Sequence, residues 1–64
     1  MNFITKYTIN YVVYSRDDVI DYIYENILSK LKDKYKNLTF KVDSEDKSVY
    51  NCSMNISVYG DLIQ

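Results

Sequence analysis

The side chains with chemical potential in this 64-residue chain are carboxylates, phenols and one thiol. Asp17, Asp18, Asp21 and Glu25 form one acidic run and Asp43, Glu45 and Asp46 a second, while tyrosine occurs eight times and Cys52 stands alone. Paired carboxylates serve acid–base catalysis when burial or a neighbouring charge moves one of them toward neutral pH. No histidine is present to share that work. Both acidic runs fall at a predicted helix start or turn, where solvent and backbone dipoles keep carboxylates ionised, and so short a chain rarely builds the cleft that a perturbed acid needs. The expectation is a protein that is not an enzyme and carries no cofactor.

A metal site made from these acids would be all-oxygen and calcium-like. Asp43-Ser44-Glu45-Asp46 lacks the loop glycine and the distant bidentate glutamate of an EF-hand, so no metal is expected. Cys52 falls on the inward parity of a strand, which predicts a small buried hydrophobe rather than a nucleophile. A lone thiol, with no continuous apolar run within Met1–Ser15, points to a reducing cytosol and away from a membrane.

The elements that must position these groups follow from periodicity. Phe3, Thr5, Tyr7, Ile9, Tyr11 and Val13 alternate with Ile4, Lys6, Thr8, Asn10 and Val12, which predicts a half-buried strand with the odd positions inward. Ile20, Ile23, Tyr24, Ile27, Leu28, Leu31 and Tyr35 then recur at spacings of three and four, the stripe of an amphipathic helix. Ser15 is the expected N-cap, Asp18 an approximate capping-box partner, and Tyr14 with Val19 a hydrophobic staple. Acids fill the first half of this helix and Lys30, Lys32, Lys34 and Lys36 the second, as the macrodipole favours, with Asn37 as a left-handed stop.

Leu38, Phe40 and Val42 predict a short second strand, Ser44–Lys47 a turn, and Ser48–Tyr59 a long third strand with Tyr50, Cys52, Met54, Ile56 and Val58 inward, ended by Gly60. The order β-α-β-β in one domain over residues 1–64 implies an α+β fold. Strands 1 and 2 run the same way and strand 3 returns between them, a three-stranded antiparallel sheet of order 1-3-2 with the helix on one face.

This topology gathers Asp17, Asp18, Asp21, Asp43, Glu45 and Asp46 at one pole and the helix-end lysines at the other. Tyr7, Tyr11, Tyr24, Tyr35 and Tyr50 are expected in the core, Tyr22 exposed among the acids, and Tyr59 exposed at the outer end of strand 3. The open sheet face is polar and mostly uncharged. Its lack of central aromatics, and lysines that wind around the helix rather than line one side, argue against direct nucleic-acid binding. Strand 1 is a long edge with few charges, which invites a homodimer or strand addition.

Phe, Tyr, Met, Ile, Asn and Lys, whose codons are AT-rich, make up half of the chain, and alanine is absent. That bias suggests a low-GC bacterium or its phages and mobile elements. With a net charge of only −1, recognition must rest on local patches. The composite expectation is a small non-enzymatic inhibitor of phage or mobile-element type that binds a bacterial host protein, or a protein–nucleic acid complex, stoichiometrically in the host cytosol. In general character it is similar to anti-CRISPR proteins, with a defence nuclease as target and local nucleic-acid mimicry as one mode. Asp17, Asp18, Asp21, Tyr22, Glu25, Asp43, Glu45, Asp46 and Tyr59 are the candidate contact residues. The alternative is a self-assembling small domain that binds a small ligand or nucleic acid through its open sheet face.

Overall fold

Alternating apolar residues in three segments form three strands, and the helical stripe between the first two forms one helix. The computed structural model describes residues 1–12 and 15–63; the sequence expectations for Val13 and Tyr14 lie outside the described residues. Strand β1 spans Asn2–Val12, β2 Tyr35–Lys47 and β3 Asn51–Leu62. Both pairings are antiparallel and the sheet order is β1-β3-β2, an α+β fold with the predicted strand order.

The core lies between the helix and the central strand. Ile23, Met54, Ile56 and Val58 are fully buried, joined by Val19, Ile27 and Leu28, and rimmed by Ile4, Ile9, Tyr11, Ile20, Leu31, Leu38, Phe40 and Val42. Cys52 is buried on the same parity as Met54, as its position predicts. Alternation on β3 supplies half of this core because the middle strand meets the helix along its length.

The helix is continuous but not uniform: Arg16–Tyr22 is α-helical, Ile23–Leu28 π-helical and Ser29–Leu31 α-helical again. Two carbonyls beside the widened turn are taken by side chains, the Asn26 amide donating to Tyr22 O at 3.3 Å and the Ser29 hydroxyl donating to Glu25 O. Such i−4 back-bonding competes with the backbone ladder and accompanies helix irregularities. The wide turn seats Ile23, Ile27 and Leu28 on the sheet. Tyr24, which the stripe predicts to be core, is instead exposed and lies edge-on to Phe40 with ring centroids 5.5 Å apart.

Several local expectations are corrected. Ser15 does not cap the helix with its side chain; its hydroxyl donates back to Val12 O at 3.0 Å, and Asp18 forms no box with it. The helix ends at Leu31 rather than near Asn37, because Lys32-Asp33-Lys34 offers nothing to bury and Tyr35 is already paired with Leu62 in the sheet. Asn37 does adopt the left-handed conformation, φ 55°, but inside β2 at a register shift between Lys36 and Thr39. Ser44–Lys47 continues β2 instead of turning. A second shift, between Val42 and Ser44, lets Ser44, Glu45, Asp46 and Lys47 pair with Asn55, Met54, Ser53 and Cys52.

Gly60 does not end β3 but pairs with Asn2 inside it. A Cβ there would stand 3.0 Å from both Ile4 Cδ1 and Leu38 Cδ2 and 3.3 Å from Lys36 O. Irregularities on both flanking strands, at Phe3/Thr5 and at Lys36/Thr39, fall beside this glycine and press Ile4 and Leu38 over it. A strand glycine marks such a close approach. The β1 irregularity also reverses parity at its start: Ile4 turns toward the core and Phe3, expected inward, is 54% exposed on the opposite face.

Candidate functional site: the acidic end

The helix begins where β1 ends, and β2 runs in the same direction as β1, so the helix start and the end of β2 share one end of the molecule. The contact that fixes this is Arg16 with Glu45: Nε donates to Oε1 at 2.9 Å, and Nη2 lies 2.9 Å from the same oxygen. Lys47 Nζ stands 4.0 Å from Glu45 Oε2. Glu45 reaches the helix because the shift after Val42 puts it opposite Met54, on the helix-covered face. Its side chain is only 19% exposed, so of the acids proposed from sequence it is the one already engaged in ion pairs.

The remaining acids divide between two faces. Asp17, Asp18 and Asp21 are exposed on the first turns of the helix, with Tyr22 half exposed beside them and Glu25 exposed further along. Asp18, Val19 and Tyr22 meet Thr8, Ile9 and Asn10 across a groove of ≈ 550 Å³ between the helix start and β1. Asp43 and Asp46 lie on the open face: Asp43 accepts a hydrogen bond from Ser57, and Asp46 pairs with Ser53. Among the described residues no three acidic or cysteine side chains converge as metal ligands do.

The tyrosines sort differently from their parity. Tyr59 is half-buried, edge-on to Phe3 with ring centroids 6.0 Å apart, at the end remote from Arg16 and Glu45. Tyr50, expected in the core, occupies the β2–β3 turn and is 75% exposed next to Val49 at 78%. That turn is closed by Ser48, whose hydroxyl donates to Asn51 O at 2.6 Å and accepts from Asn51 N at 3.2 Å. Sequence reasoning missed Val49 and Tyr50 because the even parity of β3 was carried past its start. The available signal was Ser48 three residues before Asn51, a pairing of residue types that favours turns.

Tyr11 sits behind the Arg16–Glu45 pair. Its hydroxyl is buried without a hydrogen bond of normal geometry; burial first, then the charges of Glu45 and Cys52, push the phenol pKa up, and the nearby Arg16 guanidinium offsets only part of that rise. The open face carries an uncharged ladder across all three strands, Thr8 Oγ1 donating to Asn55 Oδ1 at 2.7 Å and Asn55 Nδ2 donating to Ser44 Oγ at 2.9 Å. The next pairing rows hold Lys6 and Lys41 flanking Ser57, then Phe3 and Thr39 flanking Tyr59.

No helix among the described residues is long and apolar enough to cross a membrane. Compared with protein-family models, curated proteins and solved structures, the chain matches none of them.

Proposed function

We propose that this chain is a small non-enzymatic inhibitor of phage or mobile-element type that binds one bacterial host protein, or its complex with nucleic acid, in a fixed ratio in the host cytosol. The observation that carries the reading is one end of the molecule where the exposed Val49-Tyr50 tip accompanies the exposed carboxylates of Asp17, Asp18, Asp21, Asp43 and Asp46. Aromatic anchors supply interface energy, and surrounding charge supplies orientation and association rate. A basic groove that normally holds nucleic acid complements such an end, which makes a defence nuclease the target class and local nucleic-acid mimicry the mode. The Cα framework measures 45 × 18 × 11 Å, slender enough to enter a cleft by its end.

The experiment is affinity capture from a low-GC bacterial lysate with the wild-type chain and with two variants, one reversing Asp17, Asp18 and Asp21 to lysine, the other carrying Val49→Ser and Tyr50→Ser. A host nuclease or defence-complex subunit retained by the wild type and lost from both variants is the expected result. Equal retention by all three counts against this placement of the contact.

A second reading is favoured by Phe3 and Tyr59 lying beside Lys6 and Lys41 on the open face. Stacking rings next to ammonium groups suit single-stranded nucleic acid. Fluorescence anisotropy with a labelled single-stranded oligonucleotide tests it: binding should weaken in Phe3→Ala and in Lys41→Ala, and no binding by the wild type removes the reading.

A further inference from the structure

The two edges of the sheet are defended unequally. Edge strands in soluble proteins are blunted by charge, by bulges and by irregular backbone, because a regular bare edge recruits another strand. β2 has all three devices: Lys36, Lys41, Asp43, Glu45, Asp46 and Lys47, two register shifts, and the left-handed Asn37. β1 has Lys6 as its sole charged side chain, and its pairing with β3 runs without a shift from Thr5 to Val12. Its outer edge is therefore long, regular and nearly uncharged.

We propose that this edge pairs with the same edge of a second copy, giving a two-fold symmetric dimer with one six-stranded antiparallel sheet and both helices on one face. The choice of a second copy rests on charge. The helix runs opposite to β1, so antiparallel β1–β1 pairing sets the two helices antiparallel side by side. The acidic start of each, Asp17, Asp18 and Asp21, then lies at the level of the other's lysine-bearing end, Lys30, Lys32 and Lys34. A parallel arrangement would oppose like ends.

Parity limits the register. Opposed residues in an antiparallel ladder share a face, so even positions must meet even ones. A two-fold axis at Thr8 pairs Thr5–Tyr11, all of the regular run but Val12, with itself, places Lys6 opposite Asn10 of the second copy, and keeps the two lysines apart. It also sets Tyr7 opposite Ile9 of the second copy. Tyr7 is 39% exposed although its parity is inward, and Ile9 lines the groove with Val19 and Tyr22. Tyr7 from each copy fills that groove in the other, which accounts for a core-parity tyrosine left open to solvent in one copy.

The test uses the purified chain alone, so its outcome is independent of any host partner. Light scattering after size exclusion should give twice 7.6 kDa at low ionic strength, with the dimer weakening as salt screens the helix charges. Thr8→Lys puts two ammonium groups at the axis and should raise the dimer dissociation constant roughly tenfold; Thr8→Asp alone should do the same. Mixing the two variants should restore the dimer as a heterodimer, an outcome that a merely misfolded variant could not produce. Tyr7→Ala, which removes a half-exposed side chain, is the second probe and should weaken the dimer with the circular dichroism spectrum unchanged. A wild-type monomer at submillimolar concentration and low salt, or an assembly that withstands Thr8→Lys and Tyr7→Ala, overturns the proposal.

Discussion

The guanidinium of Arg16, the first residue of the helix, grips the carboxylate of Glu45 near the end of β2, with Nε and Nη2 both 2.9 Å from Oε1. Two segments separated by 29 positions are thereby held at one end of the sheet. Arg16 is 46% exposed, so solvent screens much of the attraction. Arg16→Met and Glu45→Gln should each cost about 0.5–1 kcal/mol, with a coupling of similar size in the double variant. Urea denaturation of the four proteins measures it, and purely additive costs would show that the pair does not tie the helix to β2.

Behind this pair, Tyr11 should ionise above the ordinary phenol range. Burial, then Glu45 and Cys52, raise its pKa above the ordinary 10.0. A raised folded pKa means that stability is fully present below the unfolded value and is lost as pH climbs above about 10 toward the folded one. Tyr11→Phe should flatten that alkaline loss. It should change stability little at neutral pH, since the hydroxyl it removes makes no hydrogen bond of normal geometry. Thermal melts from pH 7 to 11 decide it, and an unchanged alkaline limb in the variant would contradict the assignment.

At the opposite end, Asp61 should contribute to the acid limb. The Asn37 amide, donating to Asp61 Oδ2 at 3.0 Å, holds its carboxyl below the usual range, helped by the N-terminal amine 3.6 Å from Oδ1. A depressed folded pKa gives stability that is present above the unfolded value of about 4 and is lost as pH falls through the folded one. Asp61→Asn should be less stable than wild type at pH 7 and converge with it under acid conditions. A constant gap between the two across pH 2–7 would rule this out.

Gly60 sits where an added methyl must displace its neighbours. Gly60→Ala forces Ile4 and Leu38 apart at 3.0 Å contacts and should cost about 1–3 kcal/mol. Truncating Leu38 to Val in the same chain should recover part of the loss. Denaturant midpoints for the two variants measure this, and a stabilised Gly60→Ala would mean that the crowding is absent.

How much of this was legible follows from the period of the chain. The helical stripe and the two-residue alternation dictate the elements, and the return of strand 3 between two strands that run the same way dictates the order β1-β3-β2. Bulges were not legible. One extra residue flips every side chain beyond it, which sent Phe3 to the open face, Glu45 to Arg16 and Ile4 over Gly60. Asn37 shows the limit well: its residue type announced a left-handed backbone, and only the pairing of Tyr35 with Leu62 decides that this falls within a strand. The acidic run at the helix start was readable, but strand parity alone hid Tyr50, and only the Ser48–Asn51 turn marks where β3 begins.

The most direct measurement is quantitative capture by the acidic end. Wild type, the Asp17/Asp18/Asp21→Lys variant and the Val49→Ser/Tyr50→Ser variant are each immobilised and challenged with lysate of a low-GC bacterium, and retained proteins are identified and counted against the immobilised chain. A nuclease or defence-complex subunit should be held in a fixed ratio by the wild type and released by both variants, each of which keeps its circular dichroism spectrum. Retention of the same host protein by correctly folded variants, or no stoichiometric capture by the wild type, would contradict it.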